Sequence, residues 1–186
     1  MKKVGIFLWV LILAASLHAV KTRFFTSLGY GWHNNSDQYA EQVYDNWSTC
    51  LVLDAGYWFS EHFAAGIRMG YSTMNGETAL LKSETSLRHI PVTAYGKAGG
   101  KINEKWLGYI SVGIGYMLFR EESYMGKVED AQFGWEVDSG VEFSPATNVY
   151  FLAAIRYQSF RKKFPRMSET HQLGGTDIRL GVGIRY

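Results

Sequence analysis

With 186 residues, 47% of them hydrophobic and 16% aromatic, the chain is long enough for one domain with a full core and too short for two ordinary ones. Its single cysteine, Cys50, excludes an internal disulfide framework. The formal net charge of +2 is carried by two lysines in the first three residues. Without them acids and bases balance, which excludes a general basic attraction to nucleic acid.

Lys2 and Lys3 precede an apolar run from Val4 to Ala15, and "SLHA" follows up to Ala19. A basic start, a short apolar stretch and a small residue at the break predict a secretory signal peptide over residues 1–19. The run of roughly a dozen residues is short of the about 20 that a spanning helix needs. Residues 20–186 then form the mature domain. No later stretch is apolar enough for a transmembrane helix.

From there the chain alternates by twos, the mark of strands. Phe24, Thr26, Leu28, Tyr30 and Trp32 face one way in the first strand, and Arg23, Phe25, Ser27, Gly29, Gly31 and His33 the other. The second sets Leu51, Leu53, Ala55, Tyr57 and Phe59 against Val52, Asp54, Gly56 and Trp58. The third opposes Phe63, Ala65, Ile67, Met69 and Tyr71 to Ala64, Gly66, Arg68, Gly70 and Ser72. A fourth, within 86–98, is interrupted by Pro91 and carries apolar residues on both faces; Thr93 and Lys97 favour Ile90, Val92 and Ala94 as its apolar side. The fifth places Ile110, Val112, Ile114, Tyr116 and Leu118 opposite Ser111, Gly113 and Gly115. The sixth sets Phe133, Trp135, Val137, Val141 and Phe143 against Gly134, Glu136, Asp138, Gly140 and Glu142. In the seventh, Val149, Phe151, Ala153, Ile155 and Tyr157 oppose Tyr150, Leu152, Ala154, Arg156 and Gln158. The eighth, "RLGVGIRY", divides Leu180, Val182, Ile184 and Tyr186 from Arg179, Gly181, Gly183 and Arg185.

Long polar connections are expected at 33–46, 73–85, 120–130 and 160–174, and short turns at 60–62, 99–105 and 144–148. An even strand number with long loops at one end and tight turns at the other predicts an all-β fold, an eight-stranded antiparallel up-and-down transmembrane β-barrel. The apolar face is the outer one. Its aliphatic band lies between two sets of rings, Phe24, Tyr57, Phe59, Phe63, Trp106, Phe143 and Tyr186 near the short turns, and Tyr30, Trp32, Trp47, Tyr71, Tyr116, Phe133, Trp135 and Tyr157 near the long loops. Bilayer interfaces select such belts. The polar face combines charge with glycine, as a narrow lumen requires.

The final strand also resembles the targeting motif of outer-membrane barrels, with Arg179, Gly181, Ile184 and Tyr186 at its four places. With the leader and the eight strands, the mature chain resembles the small eight-stranded bacterial outer-membrane barrels of the OmpA, OmpX and opacity types. That resemblance implies residence in the outer membrane, contact with its lipid and lipopolysaccharide, passage through the barrel-assembly machinery, and a monomer.

Asp54, Arg68, Glu136, Asp138, Glu142, Arg156, Arg179 and Arg185 fall on the inward face, as does Lys97 if the fourth strand keeps its parity. Eight strands leave room only for side chains, and buried charges must pair, so these residues are expected to form a salt-bridge plug. A narrow solute path is the other reading. Catalysis rests on His33 and Ser72, both inward near the outer rim. The His-x-Ser pattern of the barrel lipid A deacylases is absent. No two histidines have metal-ligand spacing on one element, so neither catalytic nor metal residues nor a cofactor are assigned. The basic run Arg161, Lys162, Lys163 and Arg166 suits lipopolysaccharide phosphates. The leading expectation is a non-enzymatic envelope or surface-interaction protein that meets surfaces or host molecules through its loops. A lipid A-modifying enzyme and a small channel are the alternatives.

Overall fold

The computed structural model describes residues 23–35, 44–45, 47–77, 84–123, 126–163 and 170–186. The leader read over residues 1–19 and Arg166 lie outside them. Eight strands follow one another: β1 (Phe24–Asn35), β2 (Trp47–Trp58), β3 (Phe63–Glu77), β4 (Glu84–Lys101), β5 (Trp106–Ser123), β6 (Gly126–Phe143), β7 (Val149–Lys163) and β8 (Thr170–Arg185). Each pairs antiparallel with the next, and β8 closes on β1 from Phe25↔Arg185 to Asn35↔Gly175. The backbone N–H of Tyr186 donates to Phe24 O at 2.9 Å, extending the seam by one bond. Closure leaves no edge strand unpaired, which a bilayer demands because it offers backbone groups no water.

Polarity runs opposite to that of a soluble domain. Leu28, Leu51, Ile67, Val112, Ile114, Phe151, Ile155 and Leu180 are exposed on the outer wall, while Asp54, Arg68, Glu136, Asp138, Asp177 and Arg179 are buried inside. Of the rings expected near the short turns, Phe24, Tyr57, Phe59, Phe63 and Trp106 are exposed, and all eight expected near the long loops are exposed. Several pair along their belt, Phe24 with Tyr57 and Trp106 with Phe143 at 4.9 Å between centroids, Tyr116 with Phe133 at 5.4 Å.

β4 keeps the inward parity of Thr93 and Lys97, and carries Thr85, Leu87, His89, Pro91 and Tyr95 inward with them. The expected long loop over 120–130 is a correction. There β5 and β6 stay paired up to Ser123↔Gly126, so most of that segment is hairpin. Likewise β3 and β4 pair up to Glu77↔Glu84, well into the stretch expected as a loop. The reason is physical: above the membrane both faces meet water, so alternation fades from the sequence while the ladder hydrogen bonds continue.

Large rings share the lumen with the charges because glycines make space for them. A Cβ on Gly183 would lie 2.2 Å from the Tyr150 ring, one on Gly56 2.6 Å from Phe25, and one on Gly134 2.4 Å from Phe160. Each ring covers a glycine of a neighbouring strand, the arrangement that restores packing where a strand lacks side chains.

Candidate functional site: the lumen

Along the barrel axis the interior divides into layers. Nearest the short turns, Phe25, Trp58, Ala64, Tyr95, Tyr109, Tyr150, Leu152 and Ala154 form a buried apolar cluster. Lys97 is embedded in it. Its Nζ stands 3.8 Å from the Tyr109 ring centroid, 5.0 Å from Phe25 and 5.5 Å from Trp58, and it donates to Glu142. Arg185 binds the other oxygen of Glu142, donates to Ser144 Oγ at 3.1 Å, and lies 4.7 Å from the Tyr150 ring. Cation–π contact and ion pairing together hold two cations on one carboxylate.

The central layer is built around Arg68, 1% exposed. Its Nε donates to Asp54 Oδ1 at 2.6 Å, Nη1 to Glu136 Oε1 at 2.7 Å and Nη2 to Asp138 Oδ2 at 2.8 Å. Asp54 is its register partner on β2, whereas Glu136 and Asp138 reach it across the lumen from β6. The planar fork suits this task, since its donors leave in fixed, divergent directions. Arg179 Nη2 donates to Asp138 Oδ2 at 2.9 Å and lies 3.6 Å from Asp54 Oδ2. Arg156 donates to Glu136 Oε2 at 3.3 Å and through Nε to Asp177 Oδ2 at 2.6 Å.

Asp177 was not among the residues singled out from the sequence, yet it is 0% exposed and joins the central layer to the next. Gln158 Nε2 donates to its Oδ2 at 3.0 Å, and His33 Nδ1 lies 2.5 Å from its Oδ1. Beyond it a small pocket is lined by His33, Cys50, Ser72, His89, Pro91, Met117, Arg156, Gln158 and Asp177. His33 and Ser72 are thus brought to one cavity, with His89 and the thiol of Cys50 beside them. Toward the longer connections this pocket is covered by the buried cluster of Tyr44, Met74, Leu87, Met117, Phe119 and Phe160. Tyr44 donates to Glu121 Oε1 at 2.8 Å, and burial, more than that carboxylate, pushes its phenol above the ordinary range.

Of the remaining residues named from the sequence, Arg161, Lys162 and Lys163 stand on the outermost stretch of β7, paired with Gln172, His171 and Thr170. Gly181 lines the lumen wall beside Leu152, Ile184 is exposed on the lipid side, and Tyr186 is half-buried.

A closed eight-stranded barrel with an apolar, ring-belted exterior and a charged interior defines a transmembrane barrel of the outer-membrane class. The chain belongs to the outer membrane protein beta-barrel domain family, whose model matches residues 6–186, and it resides in the outer membrane. Solved structures of similar fold include Neisserial surface protein A, at 15% identity over 88% of this chain and 97% of that one, TM-score 0.62. Ail, the attachment invasion locus protein of Yersinia pestis, solved in complex with the heparin analogue sucrose octasulfate, matches at 19% identity over 90% and 100%, TM-score 0.60. Outer membrane protein W of E. coli matches at 13% identity over 91% and 100%, TM-score 0.52. No curated protein sequence matches the chain.

Proposed function

We propose that this barrel is a non-enzymatic surface protein that acts through its outer strand extensions and loops, binding sulfate or phosphate groups of polyanionic glycans. The observation that carries this reading is the filled lumen. An apolar cluster, a central ion-pair layer and a second apolar cluster follow one another along the axis, which supports a structural plug over a solute path. His33 and Ser72 are both buried beneath the Met117–Phe160 cover, away from the lipid face where an acyl substrate would lie. That favours a non-enzymatic role over lipid A chemistry.

What remains for interaction is the outer end. Arg161, Lys162 and Lys163 are carried there by β7, with Arg166 close in sequence. Guanidinium and ammonium groups suit sulfate and phosphate alike. The likeness to Ail, crystallised with a heparin analogue, supports the same ligand chemistry here. The leader and the assembly motif of Arg179, Gly181, Ile184 and Tyr186 belong to the same proposal, as the means by which the chain is exported and inserted.

The test uses the barrel in phospholipid nanodiscs with two ligands, heparin and lipopolysaccharide. Binding should weaken with salt, and Arg161→Gln, Lys162→Gln, Lys163→Gln and Arg166→Gln combined should weaken it by roughly tenfold or more. Preference for heparin identifies a host-type glycan; preference for lipopolysaccharide identifies the membrane's own. Equal binding by the variant, or a shift of lipid A mass by one acyl chain in cells producing the protein, overturns the reading.

A further inference from the structure

The pocket between Asp177 and the outer apolar cover contains chemistry that a simple plug does not need. His89 is 2% exposed, and neither of its ring nitrogens has a hydrogen-bond partner among the described residues. His33, also 2% exposed, donates from Nδ1 to Asp177 Oδ1 at 2.5 Å. That bond sets the tautomer and leaves His33 Nε2 a bare lone pair, again without a partner among the described residues. A carboxylate behind one ring nitrogen is the support that metal-binding imidazoles commonly have. Three buried, unpartnered imidazole nitrogens cost stability, and a ligand held by them would recover it.

Charge and distance narrow the choice of ligand. The five lumen carboxylates already meet five cations, Arg68, Arg156, Arg179, Lys97 and Arg185. Both imidazoles are therefore neutral, the form that binds metal. A metal about 2.0–2.1 Å from a ring nitrogen stands roughly 3 Å from the ring centre, so two imidazoles sharing one ion have centres about 6 Å apart. The centroids of His33 and His89 are 6.0 Å apart. The ring planes are perpendicular, and no hydrogen bond among the described residues opposes a turn of His89 that brings a nitrogen toward His33 Nε2. The cavity they line, of about 10 Å³, admits one small guest.

The remaining lining selects the metal. Among the described residues no three His, Cys, Asp or Glu side chains are grouped to hold an ion, which disfavours the four-coordinate sites typical of Zn²⁺. Sulfur surrounds the pair instead. The Cys50 thiol and the Met117 thioether border the cavity, and Met117 joins Met74 in the cover on its outer side. Soft sulfur beside imidazole favours monovalent copper over harder ions. A single charge also suits a lumen with no carboxylate to spare.

We propose that His33 and His89 form a two-coordinate site for a soft monovalent metal ion, Cu(I), reached from the outer end past the thioethers of Met74 and Met117. Asp177 orients His33, and Cys50 stands beside the ion as a polarisable neighbour.

The experiment titrates the full barrel in nanodiscs with Cu(I) under anaerobic conditions, and with Ag⁺, its redox-inert analogue, in chloride-free buffer. Each should bind one to one and displace the other. His89→Phe, which keeps a ring in the cover, should weaken binding by more than the roughly 100-fold that loss of an outer-shell partner costs. Cys50→Ala should keep the one-to-one binding. Heat-modifiable migration checks that each variant is folded. If His89→Phe does not fold, imidazole NMR of the wild type serves instead: one equivalent of Ag⁺ should shift the ring signals of His33 and His89 together. Absence of binding overturns the proposal and leaves a cavity for water. Binding kept in His89→Phe but lost in Cys50→Ala would be a thiol adduct and equally overturn it, as would ring shifts confined to one histidine or displacement of Ag⁺ by equimolar Zn²⁺.

Discussion

Arg68→Leu should destabilise the barrel by roughly 3–5 kcal/mol, because it strands buried carboxylates that share a single guanidinium. Asp54, Glu136 and Asp138 each accept from a different nitrogen of Arg68, and all are buried. Arg179 can retain Asp138, and Arg156 can retain Glu136, but Asp54 keeps only two long contacts, Arg179 at 3.6 Å and the Ser27 hydroxyl at 3.5 Å. Arg179→Gln should cost less, since both of its acids still have Arg68. Urea unfolding of the refolded protein in detergent micelles measures both. Equal losses for the two variants would mean that the central layer does not hinge on Arg68. Arg68→Met combined with Glu136→Met should recover part of the single-variant loss, because fewer charges are left uncompensated.

A charge on the outer wall should act as strongly as one removed from the inner. Val112 is 57% exposed on β5, about midway between Trp106 of one belt and Tyr116 of the other. Val112→Arg places a guanidinium near the hydrocarbon midplane and should cost roughly 2–4 kcal/mol, with outer-membrane levels falling accordingly. Ile178→Arg should cost less. Ile178 shares its row with Trp32, a ring of the outer belt, so a long side chain there reaches the headgroups. Ser111, one residue from Val112, faces the lumen and makes only a 3.5 Å contact with Asp138. Ser111→Ala should therefore change stability by no more than about 0.5 kcal/mol. Heat-modifiable migration and membrane fractionation rank the three. Tolerance of Val112→Arg would contradict the face assignment.

The architecture was legible because a bilayer imposes its pattern residue by residue. Each lipid-facing position must be apolar, so period two persists over the membrane-spanning part of every strand but β4. There Pro91, Tyr95 and Leu87 face inward and blur the contrast, because the lumen too has apolar layers. Strand ends were hidden for the opposite reason: beyond the belts Arg120, Glu121, Glu122, Glu129 and Asp130 are polar on both faces, and only the backbone ladder shows that they are paired. Asp177 lies two residues before Arg179 on the same parity, and extending the alternation backward from "RLGVGIRY" would have found it. The His33–His89 pair had no such signal. The two residues are 56 positions apart on β1 and β4, and only closure of the sheet turns that separation into a 6.0 Å contact. Ligand spacing within one element cannot register a juxtaposition made across a barrel.

The most direct test of the account is conductance across a planar bilayer holding the purified barrel at neutral pH. A lumen filled by the Arg68 network and closed by apolar clusters on both sides should give a silent membrane, with no unitary steps above the lipid baseline. Steady ion-selective steps from the wild type, altered in size by Arg68→Leu or Lys97→Ala, would show that the interior conducts and that its charges serve a solute path.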